Sequence, residues 1–76
     1  MSGIKPIARQ KFERFLAYVG CTFERQKGSH RIFSRPGLTR PVVVPARGII
    51  TRHLVMSNLR TLGITPEEYL SKLKEI

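Results

Sequence analysis

The chain has a single cysteine, no aspartate and no long run of apolar residues. Because Cys21 stands alone, no intramolecular disulfide can form, and we expect this cysteine to be a small core residue. No apolar run approaches the roughly 20 residues that span a bilayer, and the N-terminus lacks the apolar stretch of a signal peptide. We therefore expect a cytoplasmic protein that does not interact with a membrane.

Acidic residues are scarce, because the only acids among the 76 residues are five glutamates. Two-metal nucleases need clustered carboxylates to hold their ions. Glu67, Glu68 and Glu75 lie in a predicted C-terminal helix, where they suit caps and solvent-facing positions. One cysteine and two histidines are also a poor set of zinc ligands. We expect neither a metal ion nor another cofactor.

Positive charge dominates the composition. Fourteen lysines and arginines, nine of them arginines, give the chain a net charge of +9. Such a field attracts polyanions, and arginine forms forked contacts with phosphate. The alternative is a cationic surface that serves only solubility, but solubility seldom needs this much charge of one sign.

The order of predicted elements describes one domain over residues 1–76, with residues 1–6 as a loosely ordered lead. Helical spacing, glycines and prolines mark the boundaries. The predicted elements are a helix at 7–19, a hairpin of strands 21–26 and 30–35, a type II turn at Pro36-Gly37, a strand at 40–44 closed by Pro45, a loop at 46–50, and helices at 52–62 and from 66 onward.

This order, α-β-β-β-α-α, predicts an α+β fold in which helices cover one face of a three-stranded antiparallel sheet. The other face would then stay open to solvent. Six cations fall in the strands or their loops, and we expect them to form a basic rim suited to a nucleic-acid backbone. They are Arg25, Lys27, Arg31, Arg35, Arg40 and Arg47. The alternative is that these charges are scattered and never converge.

One histidine, His30, stands beside the predicted hairpin turn and is a candidate for catalysing RNA cleavage. RNA carries its own nucleophile, the 2′-hydroxyl, next to the scissile phosphate. Cleavage then needs a proton acceptor or donor, which suits histidine, and cations for the developing phosphorane charge. His30 fits the first requirement and Lys27 lies close by in the sequence. The alternative for His30, and for His53 in the second helix, is an ordinary solvent-exposed position.

Four segments of the chain resemble the HicA-type toxins, the small mRNA interferases of bacterial toxin–antitoxin pairs. The residues that carry the resemblance are Phe23–His30 (Phe-Glu-Arg-Gln-Lys-Gly-Ser-His), Val42–Pro45, Leu59–Ile64 (Leu-Arg-Thr-Leu-Gly-Ile) and Glu67–Leu70. The resemblance implies a fold similar to double-stranded-RNA-binding domains, metal-independent mRNA cleavage and neutralisation by a HicB-type antitoxin. It also implies that His30 is the catalytic residue and that Gly28 and Ser29 match the family's glycine and serine.

The resemblance has two departures. Many relatives carry a histidine two residues after the Val-Pro strand end, where this chain has Arg47. Their second helix also opens on a small pair, where this chain has His53-Leu54. We expect Lys27 and Arg47 to stabilise phosphorane charge, Arg25 and Arg31 to hold the RNA backbone, and Ser29 to orient the turn or His30.

Two other functions fit the same residues. The first is a binding module, in which the basic sheet grips RNA and His30 merely contacts it. The second is an interaction protein whose positive surface docks an acidic partner. Shortening of RNA in a chelator would separate the enzyme from the binding module.

Overall fold

The computed structural model describes residues 3–76 and contains five strands and three helices. In chain order the elements are β1 (Ile7–Ala8), α1 (Arg9–Tyr18), β2 (Thr22–Lys27), β3 (His30–Ser34), β4 (Val42–Pro45), β5 (Ile49–Ile50), α2 (Arg52–Leu62) and α3 (Pro66–Leu73).

The three-stranded sheet has the order β2-β3-β4, and both pairs of strands are antiparallel. Gly28 and Ser29 form the two-residue connection of the β2–β3 hairpin, which Lys27 and His30 close as Cα partners. Gly28 has φ 59°, while no non-glycine residue in the described chain has a positive φ. A positive φ at only the first central residue is typical of the type II′ turns that match strand twist.

The core lies between the helices and one face of this sheet. Alternate strand residues meet the apolar sides of all three helices, so the predicted α+β fold with helices on one face is confirmed. The core cluster consists of Ile4, Phe12, Phe15, Leu16, Cys21, Phe33, Val42, Val44, Ile50, Val55, Leu59, Leu62 and Tyr69. Cys21 is therefore a core residue, as expected. The loosely ordered lead predicted for residues 1–6 lies partly outside the described residues, and within it Ile4 is buried.

A second, two-stranded sheet was not predicted. Ile7 pairs with Ile50 and Ala8 with Ile49, which makes β1 and β5 antiparallel. The prediction of a helix from residue 7 and of a loop over residues 46–50 was wrong at these four positions. The pairing holds residues 7 and 8 extended, so that α1 begins at Arg9. Strands of two residues are too short to show a period of two in the sequence.

The third strand starts two residues later and ends one residue later than predicted. It spans Val42–Pro45 rather than residues 40–44. Pro41 has no N–H to donate to a ladder, which favours a start after it, and Pro45 ends the strand as predicted. The turn at Pro36-Gly37 is confirmed, because Gly37 has φ 92° and the Leu38 N–H donates to the Arg35 carbonyl at 3.3 Å.

Residues at the helix ends account for where α2 stops and α3 starts. Gly63 ends α2 in the left-handed region with φ 72°. Thr65 and Glu68 form a capping box at the start of α3: the Glu68 N–H donates to Thr65 Oγ1 at 3.1 Å, and the Thr65 N–H donates to Glu68 Oε1 at 3.0 Å. These bonds satisfy donors that the first turn of a helix leaves without partners.

The capping box leads to a pH-dependent stability. The Thr65 N–H and hydroxyl hold the pKa of Glu68 below its ordinary value. A carboxyl whose pKa is lower in the folded state stabilises the fold above its unfolded pKa, and this contribution is lost as the pH falls through the folded pKa. We expect Glu68→Gln to remove this part of the acid sensitivity between about pH 5 and pH 3. Urea unfolding of both proteins across that range measures how the free energy of unfolding depends on pH. A dependence that Glu68→Gln leaves unchanged would contradict the prediction.

Tyr69 offers a substitution that should stabilise the protein. Its side chain is buried, its ring packs edge-on against Phe15 at 4.8 Å, and its hydroxyl has no hydrogen-bond partner within residues 3–76. Burial raises the pKa of Tyr69 to about 12. Because an unpaired buried hydroxyl is costly, we expect Tyr69→Phe to raise the free energy of unfolding by about 1 kcal/mol.

Tyr18→Phe is the matched control for that substitution. Tyr18 is exposed and its hydroxyl donates to the Glu75 carboxylate, so its loss should bring no gain. Chemical denaturation of both variants compares them directly. A Tyr69→Phe variant less stable than the wild type would show that the hydroxyl is not an unpaired buried group.

Candidate functional site

His30 is the first residue of β3 and is exposed to solvent. Its Cα partners are Lys27 on β2 and Pro45 on β4, and residues directly opposite each other in an antiparallel sheet share a face. The next residue, Arg31, reaches α1, so the alternation of side chains along a strand places His30 on the face away from the helices. His30 and Lys27 therefore project together from the open face.

The hairpin turn and the loop after β4 meet beside His30. The Ala46 N–H donates to the Ser29 carbonyl at 2.8 Å. The Gln26 side-chain amide donates to the Gly28 carbonyl at 3.1 Å, which braces the same turn. Arg47 follows Ala46 and is exposed. The fold thus brings Lys27, the Gly28–Ser29 turn and the Arg47 loop to one end of the sheet.

The N-terminal ends of two helices adjoin this loop. The Arg9 N–H, at the start of α1, donates to the Gly48 carbonyl at 3.3 Å. Thr51, which caps α2 by accepting from the Leu54 N–H, follows three residues after Gly48. The N-terminus of a helix carries partial positive charge, so both helices reinforce the positive potential at this end of the sheet.

Arg25 belongs to the same face as His30, two pairs further along the strands. Its Cα partner is Ile32, two residues after His30 on β3. The Arg25 guanidinium lies 3.8 Å from the Glu24 carboxylate, and its side chain is 64% exposed. An exposed ion pair of that length is weak, so Arg25 is available to an anion on the open face.

Arg31 lies on the other face and is bound within the protein. Its Nε and second terminal nitrogen donate to the two carboxylate oxygens of Glu13 at 2.7 and 3.2 Å, and its guanidinium stands 4.4 Å from the centre of the Phe23 ring. Arg9 also pairs with Glu13, at 3.0 Å. The structure therefore does not bring Arg31 together with His30 but uses it to join β3 to α1.

The remaining cations of the expected basic rim are dispersed. The Arg35 guanidinium donates to two helix-terminal carbonyls, those of Val19 at 2.7 Å and Leu62 at 2.9 Å. Arg40 is exposed in the segment before β4, and His53 is exposed in the first turn of α2. The basic surface beside His30 thus consists of Arg25, Lys27 and Arg47 rather than all six cations.

Glu13 is a residue that sequence reasoning missed. Its spacing of four from Arg9 predicts an ion pair on a helix surface. Its stronger contact, with Arg31, joins residues 18 positions apart and has no local signature. By fixing Arg31 against α1, Glu13 fixes the strand on which His30 stands.

Residues 3–76 contain no group of three or more His, Cys, Asp or Glu side chains placed to hold a metal ion. In the same part of the chain, every helix is too short or too polar to cross a bilayer.

These features define a small basic α+β domain with an exposed histidine among cations at one end of its sheet. The family model described as the HicA toxin of bacterial toxin–antitoxin systems matches residues 9–64. The match runs from the start of α1 to the second residue after α2 and includes the hairpin turn, His30 and the Arg47 loop. The chain belongs to the HicA toxin family and is a toxin of a toxin–antitoxin system. Searches of curated proteins and of solved structures found no match.

Proposed function

We propose that this toxin is a metal-independent endoribonuclease that cleaves mRNA, with His30 as its catalytic residue. The observation that carries the proposal is the position of His30: exposed on the open face, opposite Lys27 and beside the turn that touches the Arg47 loop. Membership of the HicA family supports it, because the family is generally one of RNase toxins.

The proposed reaction is an internal transesterification. The 2′-oxygen of a ribose attacks the adjacent phosphorus, the bond from phosphorus to the 5′-oxygen breaks, and a 2′,3′-cyclic phosphate and a 5′-hydroxyl result. The 2′-hydroxyl loses a proton and the leaving oxygen gains one. His30 takes part in one of these two transfers, as general base or as general acid. A rate that rises with pH would assign the base role, and a rate that falls would assign the acid role.

The cations beside His30 would stabilise the charge that develops on the phosphorane. Lys27 shares a face and a cross-strand pair with His30, and Arg47 is supplied by the loop bonded to the turn. Preorganised cations lower the barrier because they act on charge that grows in the transition state. Arg25, two pairs further along the strands, would hold the RNA backbone. Arg31 would support the site from the other face, since Glu13 occupies its guanidinium.

Gly28 and Ser29 would shape the site rather than react. Gly28 supplies the positive φ that a tight turn needs, and the Ser29 carbonyl accepts the bond from the Ala46 N–H. The turn conformation and this hydrogen bond together fix the backbone next to His30.

A HicB-type antitoxin is the proposed protein partner, and it would neutralise the toxin by covering this surface.

Incubation of the purified protein with mRNA in excess chelator tests the proposal. We expect the RNA to be shortened and a DNA strand of the same sequence to stay intact, because DNA lacks the 2′-hydroxyl. RNA that is bound but stays intact would instead identify a binding module. Expression in growing cells, with and without a HicB-type antitoxin, should show growth arrest only in its absence.

A further inference from the structure

The two outer strands of the three-stranded sheet differ in what covers them. On β4, the Asn58 side-chain amide of α2 donates to the Val43 carbonyl at 3.3 Å. On β2, all six residues are exposed, and within residues 3–76 this strand pairs only with β3. Apart from the bulge between Phe23 and Arg25, an edge strand of this kind presents N–H and C=O groups at alternate residues to any strand that approaches it. β2 is therefore the open edge of the sheet.

A groove runs between α1 and this open edge. Its volume is about 450 Å³, and its lining comprises Gln10, Glu13, Arg14, Ala17, Cys21, Phe23, Arg31 and Phe33. Phe23, on β2, is 47% exposed although its ring packs against Phe33 at 5.5 Å between centres. A chain added alongside β2 would lay its alternate side chains into this groove, next to the exposed ring of Phe23.

The charged residues around the groove indicate the charge of the partner that would bind there. Glu13 is neutralised by Arg9 and Arg31, whereas Arg14 is exposed on the α1 side. On the strand itself, Arg25 and Lys27 outnumber Glu24, the one acidic residue there. A second copy of this chain, with its net charge of +9, would be repelled. An extended acidic segment would be attracted.

We propose that the β2 edge and the α1–β2 groove form a docking site for an extended acidic segment of a partner protein, which adds a fourth strand antiparallel or parallel to β2. Main-chain hydrogen bonds to β2 supply affinity, an apolar side chain lies against Phe23, and acidic side chains face Arg14, Arg25 and Lys27. The groove lies on the helix side of the sheet, whereas Arg25 and Lys27 project from the neighbouring open face. Binding of the segment does not depend on RNA cleavage.

NMR titration of the full chain with a short synthetic peptide of alternating glutamate and valine tests the proposal. We expect cross-strand contacts between peptide and β2 amides, and slowed exchange of the β2 amides that face away from β3. The same peptide N-methylated at alternate residues keeps its charge but cannot donate those hydrogen bonds, and it should not produce these changes. A lysine–valine peptide should not bind.

Phe23→Ala should weaken binding of the glutamate–valine peptide by about tenfold, because a buried aromatic anchor is lost. Tyr18→Ala is the matched control, since both residues are 47% exposed and Tyr18 lies outside the groove lining. The affinity of this variant for the peptide should equal that of the wild type. Equal binding of the N-methylated peptide, or shifts confined to the open face around His30, would overturn the proposal. So would an affinity that Phe23→Ala leaves unchanged.

Discussion

Replacing His30 with alanine should lower the rate of RNA cleavage by about two to four orders of magnitude, the range typical of losing a general acid or base. Because His30 is exposed at the start of β3 and outside the core cluster, the variant should fold as the wild type does. Its affinity for RNA should stay within about twofold, since the proposed contacts with the RNA backbone come from Arg25, Lys27 and Arg47, which the substitution leaves in place. Gel-based cleavage and binding assays on one RNA measure both quantities.

His53→Ala is the control for that variant. His53 is the other histidine of the chain, and it too is exposed, in the first turn of α2. We expect this variant to cleave RNA at close to the wild-type rate. A folded His30→Ala protein that cuts RNA as fast as the wild type would remove His30 from the mechanism. Equal losses in both variants would point to a general effect of charge or fold.

Replacing Arg35 with alanine should lower the stability of the protein strongly. One guanidinium donates to the Val19 carbonyl at the end of α1 and to the Leu62 carbonyl at the end of α2. Charged hydrogen bonds at partly buried sites contribute about 1.5 to 3 kcal/mol each, and the C-terminal ends of helices attract cations. We expect Arg35→Ala to lower the free energy of unfolding by about 3 kcal/mol.

That loss is large for a chain of this size. Marginal stability of 76 residues amounts to roughly 4 to 11 kcal/mol in total. Arg25→Ala is the matched control, because the Arg25 side chain is 64% exposed and makes only a long ion pair. It should change stability by less than about 0.5 kcal/mol while weakening RNA binding. Urea denaturation of the two variants measures their free energies of unfolding. Equal values would show that Arg35 does not hold the helix ends.

The contrast between Arg25 and Arg35 shows how much of the candidate site can be predicted from the sequence. Both were expected in one basic rim because both lie in the strand region. The face on which a residue lies follows from register, and here the bulge between Phe23 and Arg25 shifts that register. The partner of a guanidinium is also set by tertiary contacts, such as the 27 positions that separate Arg35 from Leu62. Neither feature has a local signature.

Local chemistry, in contrast, was predictable. The Thr65–Glu68 capping box, the glycine that ends α2 and the Pro36–Gly37 turn depend on residues a few positions apart, and the structure contains all three. The β1–β5 pair was missed because its two-residue strands are brought together only by the fold. The position of His30 beside the hairpin turn was predictable for the same local reason, but the Arg47 loop joins it through the Ala46–Ser29 bond, which is not local.

The end groups of the cut RNA test the central claim most directly. If His30 moves a proton for a 2′-hydroxyl that attacks the neighbouring phosphorus, the fragments carry a 2′,3′-cyclic phosphate and a 5′-hydroxyl. A single 2′-deoxy substitution at the cleaved position should then block that cut and no other. Fragments with a 3′-hydroxyl and a 5′-phosphate, or cleavage that continues at the deoxy position, would show that water attacks instead and would contradict this account.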